Sequence, residues 1–492
     1  MIDRLSVLDA SFLFSERGRT PAHVGSLSIF APPKAGFDYD TLVALIEQRL
    51  EQVPRYRQKV RAVPGGIARP VWVDDNDFDI SFHVRRSALP APGDDAQLHE
   101  LVARLMSRRL DRSRPLWEVY LVEGLREGRV AVIVKTHQAV VDGAEALSLL
   151  QVILDDTQNL HCGRSELWMP QVEPAAGKLL VDVLTAAVHR PVEIIDSVRW
   201  VARDGTAAMQ TVADSVGSGA NHLKRLLRLT TAPLSPLNVS ISRQRRFAVA
   251  RTPLVDYRTV RAAQGGTIND VILAVVSGAL RGWLLARGES LTATSTVRAL
   301  TPVVAQSDAG DPSSALGTQG GEVCSLLVDL PVGEPDPLLR LARVSQATEE
   351  QTRSQRLVGA GALTRLSGFA PPTLHAMGAR VADTVARRSF NVLVTNVPGP
   401  QHPLYAAGAR MLEIFPVVPL SVKQALTVGV TSYDGRVSYG LNADRDAVAD
   451  LPALAGLIEE SLHELVQVSA REGKPHAGVR AGNHRHARRP PG

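Results

Sequence analysis

The chain has 492 residues, 45% of them hydrophobic and 21% charged, which is a folded globular composition and excludes a disordered or fibrous protein. Its two cysteines, Cys162 and Cys324, are far apart and lack CxxC spacing, which argues against a disulfide framework and a structural zinc site and suits a reduced, intracellular setting. The formal charge of +5 is carried entirely by residues 471–492, so the rest of the chain is close to neutral, which weakens a nucleic-acid reading.

The first residues, MIDRLSVLDASFLF, mix acidic with apolar side chains and do not read as a signal peptide. The longest apolar run, 271–280, stops at Arg281, short of the ~18 residues that a membrane span needs. Residues 5–14 are apolar on both faces and should pack into a first domain. A strand is expected over 24–30. A helix over 39–53 places Leu42, Leu45, Ile46 and Leu50 at helical spacing, with Asp40 as N-cap. Strands over 70–73 and 80–84, an amphipathic helix over 97–110 and a buried strand over 116–122 follow.

The stretch at 129–150 reads RVAVIVKTHQAVVDGAEALSLL. Residues 130–134 form an apolar, mostly β-branched run, a buried strand. His137 leaves its end, Asp142-Gly143 makes a turn, and Leu147, Leu150, Ile153 and Leu154 return to helical spacing. Read locally, Asp142 and Glu145 form a capping box, Gly143 serves the turn, and His137 has no task.

Residues 161–176 have the Pro and Gly of a connection. A helix over 179–201 carries a kink at Pro191, and 216–240 is the expected boundary. Beyond it come a strand near 246–250 and a helix from Thr267 through Trp283, apolar almost all round and therefore buried. Strands over 322–330 and 390–395, a turn at Asn396-Val-Pro-Gly-Pro400, a hairpin around Asp434-Gly435 and a closing helix over 451–468 complete the chain. The tail, with His484 and His486, is low in complexity and reads as a disordered end. No GxSxG, no GxxxxGK[ST] and no completed dinucleotide fingerprint occurs. Chemistry is therefore expected from 129–150.

Eleven ordered segments carry a family resemblance: LSVLDASFLF, PAHVGSL, PRYRQKV, RPVW, FDISFHVRR, LDRSRPLWEVYLVEGL, KTHQAVVDG, INDVILAVVSGALR, LLVDLPVGEPDPLLRL, NVLVTNVPGPQHPLY and SYDGRVSYGLNADRD. Together they resemble the bacterial wax ester synthase/acyl-CoA:diacylglycerol acyltransferase family of the CoA-dependent acyltransferase superfamily, over nearly the whole chain except the tail. The resemblance implies an α+β fold of two chloramphenicol-acetyltransferase-like domains, each a mixed β-sheet packed with helices, with the active-site channel between them. The expected division is an N-terminal domain over 1–175, a helical connection over 176–240, a C-terminal domain over 241–470 and the tail.

It also implies O-acyl transfer from long-chain acyl-CoA to diacylglycerol or a fatty alcohol. Acyl-CoA enters as co-substrate, with no metal or redox cofactor. The protein would be cytoplasmic and meet its lipid peripherally, at a membrane or droplet surface. The family signature is HHxxxDG, whose second histidine is the general base and whose Asp holds the loop by a structural ion pair. Here His137 matches the first histidine, while Asp142 and Gly143 match the last two positions as structural residues. The base position is Gln138. An amide hydrogen-bonds an alcohol but has no basic site near neutral pH, so His137 is the provisional proton acceptor, although neighbours on an extended chain face opposite ways. Asn269 and Asp270 match the family's ND pair, near the channel or simply at a helix start. Pro115, Leu116 and Trp117, and Asn396, Pro398 and Gly399, match motifs read first as packing and turn. Gly320-Gly321 replaces the usual Gly-Asn. The alternative function is a degenerate member that binds acyl-CoA or neutral lipid without efficient transfer.

Overall fold

The structure is a computed structural model and describes residues 3–16, 19–32, 37–64, 68–141, 149–158, 168–179, 181, 232–304, 323–357 and 390–472. Asp142, Gly143, Glu145, Leu147, Cys162, Pro191, Gly320-Gly321 and residues 473–492 of the basic tail lie outside them, as do nearly all of 179–201 and most of 216–240.

In the first half, α1 (Val7–Ser15) and β1 (His23–Phe30) precede α2 (Tyr39–Arg49), β2 (Gln58–Arg61) and β3 (Val71–Asp74). The N-cap of α2 is Asp38, not Asp40: the Asp38 carboxylate accepts from the Thr41 amide and hydroxyl, while Asp40 sits in the first turn. Residues 80–84 are not a strand. Asp79 caps Ser81, which starts the short helix α3 (Ile80–His83), and only then does β4 (Val84–Ala88) begin. Then follow α4 (Asp95–Ser107), β5 (Trp117–Glu123), β6 (Val130–His137), α5 (Gln138–Val141) and α6 (Leu149–Ile153).

The second half contains β7 (Arg245–Pro253), α7 (Leu254–Gln264), α8 (Ile268–Ala286), β8 (Val297–Val304), β9 (Val323–Leu330) and α9 (Pro337–Leu357). After these come β10 (Val392–Pro398), β11 (Tyr405–Ala406), β12 (Ala409–Val417), β13 (Leu426–Tyr433), β14 (Arg436–Asp444) and α10 (Leu451–Glu472). Asn396 is thus inside a strand, and the turn begins only after Pro398. The β13–β14 hairpin turns on Asp434 (φ 44°) and Gly435 (φ 79°), the two left-handed residues that a tight two-residue loop requires. By length and composition α8 is apolar enough to cross a bilayer, yet it is the central helix of a core, with Val271, Leu273, Val275, Leu280 and Trp283 all buried.

Two six-stranded mixed sheets result: β11-β12-β1-β6-β5-β4 and β7-β14-β13-β10-β8-β9. In the first, β4 and β5 are parallel and the other pairs antiparallel; in the second, β10 runs parallel to both neighbours. The first sheet borrows β12 from the far end of the chain, pairing Gly25 with Val417 and Phe30 with Met411. The borrowed strand lies hard against the second sheet. A Cβ on Gly440 would fall 1.9 Å from the Pro416 carbonyl, so only glycine admits that approach. Across the same seam Arg251 pairs with Glu413 and Asp95, at 2.8 Å each.

Alternation along β6 sorts its side chains. Val130, Val132 and Val134 join the core beneath α1, α2 and α5. Ala131 and Ile133 join the core shared with α4 and with Phe247 and Val249 of β7. The second set continues as Lys135 and His137.

Candidate active site

His137 is the last residue of β6 and lies directly opposite His23 of β1. Its amide donates to the Leu116 carbonyl at 2.9 Å, and the Gln138 amide donates to the Ala22 carbonyl at 2.9 Å, so both flanking strands pin the turn from strand to helix. The PLW segment acts in that frame: Leu116 holds the His137 backbone, and the Trp117 indole donates to the Tyr56 carbonyl at 2.7 Å and stacks on the His83 ring.

The His137 ring is only 1% exposed. Its Nδ1 accepts from the Ala139 amide at 3.1 Å, which in a neutral imidazole leaves the proton on Nε2. That Nε2 is buried without a partner among the described residues. Burial pushes the ring's pKa down to about 3, and the neighbouring His23 and Arg112 push in the same direction. His137 is neutral at physiological pH, and its one free nitrogen is a donor. To accept a proton it would have to give up the Ala139 bond and work against the same desolvation.

Beside it lies a group that sequence reasoning left unassigned. The His23 and His137 rings sit edge to face, 6.0 Å apart. His23 Nε2 meets Glu16 Oε1 at 3.4 Å and the Leu110 amide at 3.3 Å. The Leu110 amide donates to this nitrogen, while the ring's Nδ1 is buried without a partner among the described residues. Burial alone would raise the Glu16 carboxyl, but hydrogen bonds from His23 and Arg112 outweigh it and hold the group at about 2. The sequence signal was the histidine of PAHVGSL, which the antiparallel register sets opposite the end of β6.

A second buried ion pair fixes the loop between α4 and β5. Lys135, 1% exposed, donates to the Arg108 carbonyl at 2.6 Å and lies 3.5 Å from Glu118, which also accepts from the Tyr120 hydroxyl at 2.8 Å. Burial lowers the Lys135 pKa, and Glu118 opposes that shift. The loop that starts at Arg108 carries Leu110 to His23 and Arg112 to Glu16. Gln138 is half-buried and opens α5.

Asn269 and Asp270 stand on the second sheet's central helix. Asp270 is consumed structurally: it forms a capping box with Thr267 and accepts from the Thr348 hydroxyl at 2.7 Å. The Asn269 side-chain Oδ1 accepts from the Asn396 side-chain Nδ2 at 3.3 Å, so two motifs far apart in sequence meet here. No hydrogen bond joins either residue to His137 among the described residues. Nor do the described residues include a cluster of His, Cys, Asp or Glu that could hold a metal ion.

This architecture, two mixed sheets with a histidine at the end of a central strand, defines a chloramphenicol-acetyltransferase-like acyltransferase fold. Condensation domains share it: the first condensation domain of the CDA synthetase superposes with a TM-score of 0.52 at 15% identity, over 96% of this chain and 97% of that one. Residues 5–272 match the wax ester synthase/diacylglycerol acyltransferase catalytic domain, and residues 319–466 match the C-terminal domain of the same family. The chain belongs to that family of acyl-transferring enzymes. It is 33% identical to the probable diacylglycerol O-acyltransferase tgs1 of Mycobacterium tuberculosis, over 96% of this chain and 97% of the relative. It is 48% identical to tgs3 of the same organism over 267 residues, 53% of this chain and 96% of that one. The wax ester synthase/diacylglycerol acyltransferase of Marinobacter aquaeolei VT8 superposes with a TM-score of 0.67 at 26% identity, covering 95% of this chain and 100% of that one.

Proposed function

We propose that the chain is an O-acyltransferase that moves a long-chain acyl group from acyl-CoA to the free hydroxyl of diacylglycerol, with a fatty alcohol as a second acceptor. The observation that carries this reading is the near full-length match to diacylglycerol acyltransferases of the same family. In the reaction the alcohol oxygen attacks the thioester carbonyl, the C–S bond breaks, and the hydroxyl proton ends on the CoA thiol.

Gln138 hydrogen-bonds and orients the alcohol but takes no proton. With the His137 Nδ1 already engaged, acceleration comes from holding two substrates in one channel, and the proton passes through solvent. The turnover is accordingly slower than that of an enzyme with histidine at this position. Diacylglycerol and fatty alcohols do not dissolve freely in water, so the protein meets them peripherally, at a cytoplasmic membrane or droplet surface.

The same two observations, Gln138 and the engaged His137, favour a second reading in which the chain binds acyl-CoA or neutral lipid without efficient transfer. One assay separates them: purified protein, palmitoyl-CoA and a diacylglycerol presented in vesicles, following free thiol and triacylglycerol together. Equal release of both, above an enzyme-free control, supports the transferase. Acyl-CoA binding with no triacylglycerol from any acceptor overturns it. Co-flotation of the protein with the vesicles tests the surface assignment, and recovery of all protein in the dense fraction refutes it.

A further inference from the structure

The strand-end turn is tied to the other half of the chain. Gln138 opens α5, so its amide has no acceptor within the helix, and it donates instead to the Ala22 carbonyl at 2.9 Å. Where Ala22 sits therefore sets where residue 138 sits. Ala22 ends the segment 19–22, in which Thr20, Pro21 and Ala22 are all buried just ahead of β1.

Two side chains fasten this segment. At one end the Glu16 carboxylate, itself paired with Arg112, accepts from the Ala22 amide at 3.4 Å. At the other, Arg245, the first residue of β7 in the second sheet, donates from Nη2 to the Arg19 carbonyl. Arg245 is only 4% exposed, and a buried cation is costly unless a carboxylate neutralises it. Asp444 is the one carboxylate within ion-pair distance of it among the described residues, at 3.9 Å, and already accepts from the Ser242 amide and hydroxyl at 2.6 and 2.7 Å. The guanidinium gives its close contacts to backbone: Nη1 donates to the Ser242 and Gln244 carbonyls at 3.0 Å each, and Nη2 reaches across the seam to Arg19. Apolar replacements of buried charges are often neutral or stabilising, so what the arginine adds here is the link.

We propose that Arg245 is a positioning residue for acyl transfer: by holding the Arg19 carbonyl from the second sheet, it fixes residues 19–22 so that the Ala22 carbonyl receives the Gln138 amide. Through that bond it places the side chain that orients the acceptor alcohol. The consequence for rate rests on the transferase reading, whereas the clamp itself does not. The geometry at residue 138 thereby depends on how the second sheet packs against the first.

The test compares the full chain with Arg245→Met and Arg245→Gln. Methionine fills the space without a donor, and the glutamine amide nitrogen stands where the arginine Nε does, too short to reach Arg19. Hydrogen–deuterium exchange read residue by residue should show the Gln138 amide exchanging about tenfold faster or more, while the Val132 and Val134 amides of β6 keep wild-type rates. The kcat for CoA release from palmitoyl-CoA with diacylglycerol should fall about tenfold or more, with KM for palmitoyl-CoA changed less, because misplacement by about 1 Å costs up to about 10²-fold. An unchanged Gln138 rate in a folded variant overturns the proposal, as does equal acceleration at Val132 and Val134, which marks a general loss of stability. An unchanged kcat beside a loosened Gln138 amide overturns it too. If wild type transfers no acyl group, the transferase reading fails while the exchange comparison still decides the clamp. Circular dichroism verifies folding, and if Arg245→Met does not fold, Arg245→Gln carries the decision by the same readings.

Discussion

Replacing Gln138 by histidine places a base where the amide now stands, and the structure sets what that base can do. The backbone at this position is held by the bond from the Gln138 amide to the Ala22 carbonyl and by the 23–137 register, so the new ring starts from a fixed Cα. Residue 138 is half-buried, whereas His137 is 1% exposed and held at about 3. An imidazole at 138 therefore suffers less desolvation and titrates nearer the ordinary 6.5. General-base catalysis is worth roughly 10²–10⁴-fold, or about 3–5 kcal/mol of barrier. Gln138→His is expected to raise kcat for triacylglycerol formation within that range. It should also introduce an acid limb, with activity falling below about pH 6.5 where wild type has none. The assay is initial-rate CoA release from palmitoyl-CoA with saturating diacylglycerol, between pH 5 and 8. An unchanged kcat in a folded Gln138→His protein would refute the argument. So would a wild type already showing that acid limb and losing it in His137→Asn, for then His137 accepts protons despite its engaged Nδ1.

Three further outcomes follow from the same geometry. His137 is neutral in the fold, while an unfolded imidazole takes a proton near 6.5, so the unfolded state binds more protons and stability falls as pH drops from 6.5 toward 3. The slope approaches about 1.4 kcal/mol per pH unit, and urea titrations of His137→Asn at pH 6.5 and 5 should show it reduced. Glu16 acts in the opposite sense to a buried neutral acid: its carboxyl is lowered from 4.5 to about 2, so its stabilisation is complete above 4.5 and disappears as pH falls to 2. It amounts to about 2 kcal/mol once solvent screening is allowed for, and Glu16→Gln should lower the urea midpoint at pH 7 and flatten its acid dependence between 4.5 and 2. Asp270→Asn weakens a helix cap and a buried hydrogen bond, so it should cost about 1–3 kcal/mol in denaturation midpoint while leaving KM for acyl-CoA unchanged; a raised KM in folded protein would instead put Asp270 in contact with substrate.

Local signals were readable and tertiary ones were not. The Asp434-Gly435 hairpin needs only two left-handed residues between apolar runs, and β6 needs only its β-branched run. The capping of α8 by Thr267 and Asp270 is likewise written within four residues. Between Asp38 and Asp40, by contrast, one register shift decides which carboxylate reaches the Thr41 amide, and residues 80–84 alternate like a strand while Asp79 starts a helical turn that spacing does not register. The borrowing of β12 by the first sheet depends on partners nearly 400 residues apart in the chain, for which no local pattern exists. For the same reason the strand-end site was half legible. His137 at the end of a buried strand was readable, but the burial that lowers its pKa comes from packing, and the Glu16–Arg112 pair beside His23 joins residues 96 apart that meet only through the fold.

The identity of one residue matters so much because adjacent positions at a strand end have opposite tasks. His137 continues the row of Ile133 and Lys135, and its packing beside His23, its bond from Ala139 and its burial all anchor the strand-to-helix turn. The same features lower its proton affinity: a shift from 6.5 to about 3 amounts to about 5 kcal/mol against taking a proton. That is as large as the whole benefit of general-base catalysis. A histidine buried well enough to hold the turn is thus too poor a base to replace the one missing next to it, and the half-buried place at 138 is where basicity can be restored without dismantling the anchor.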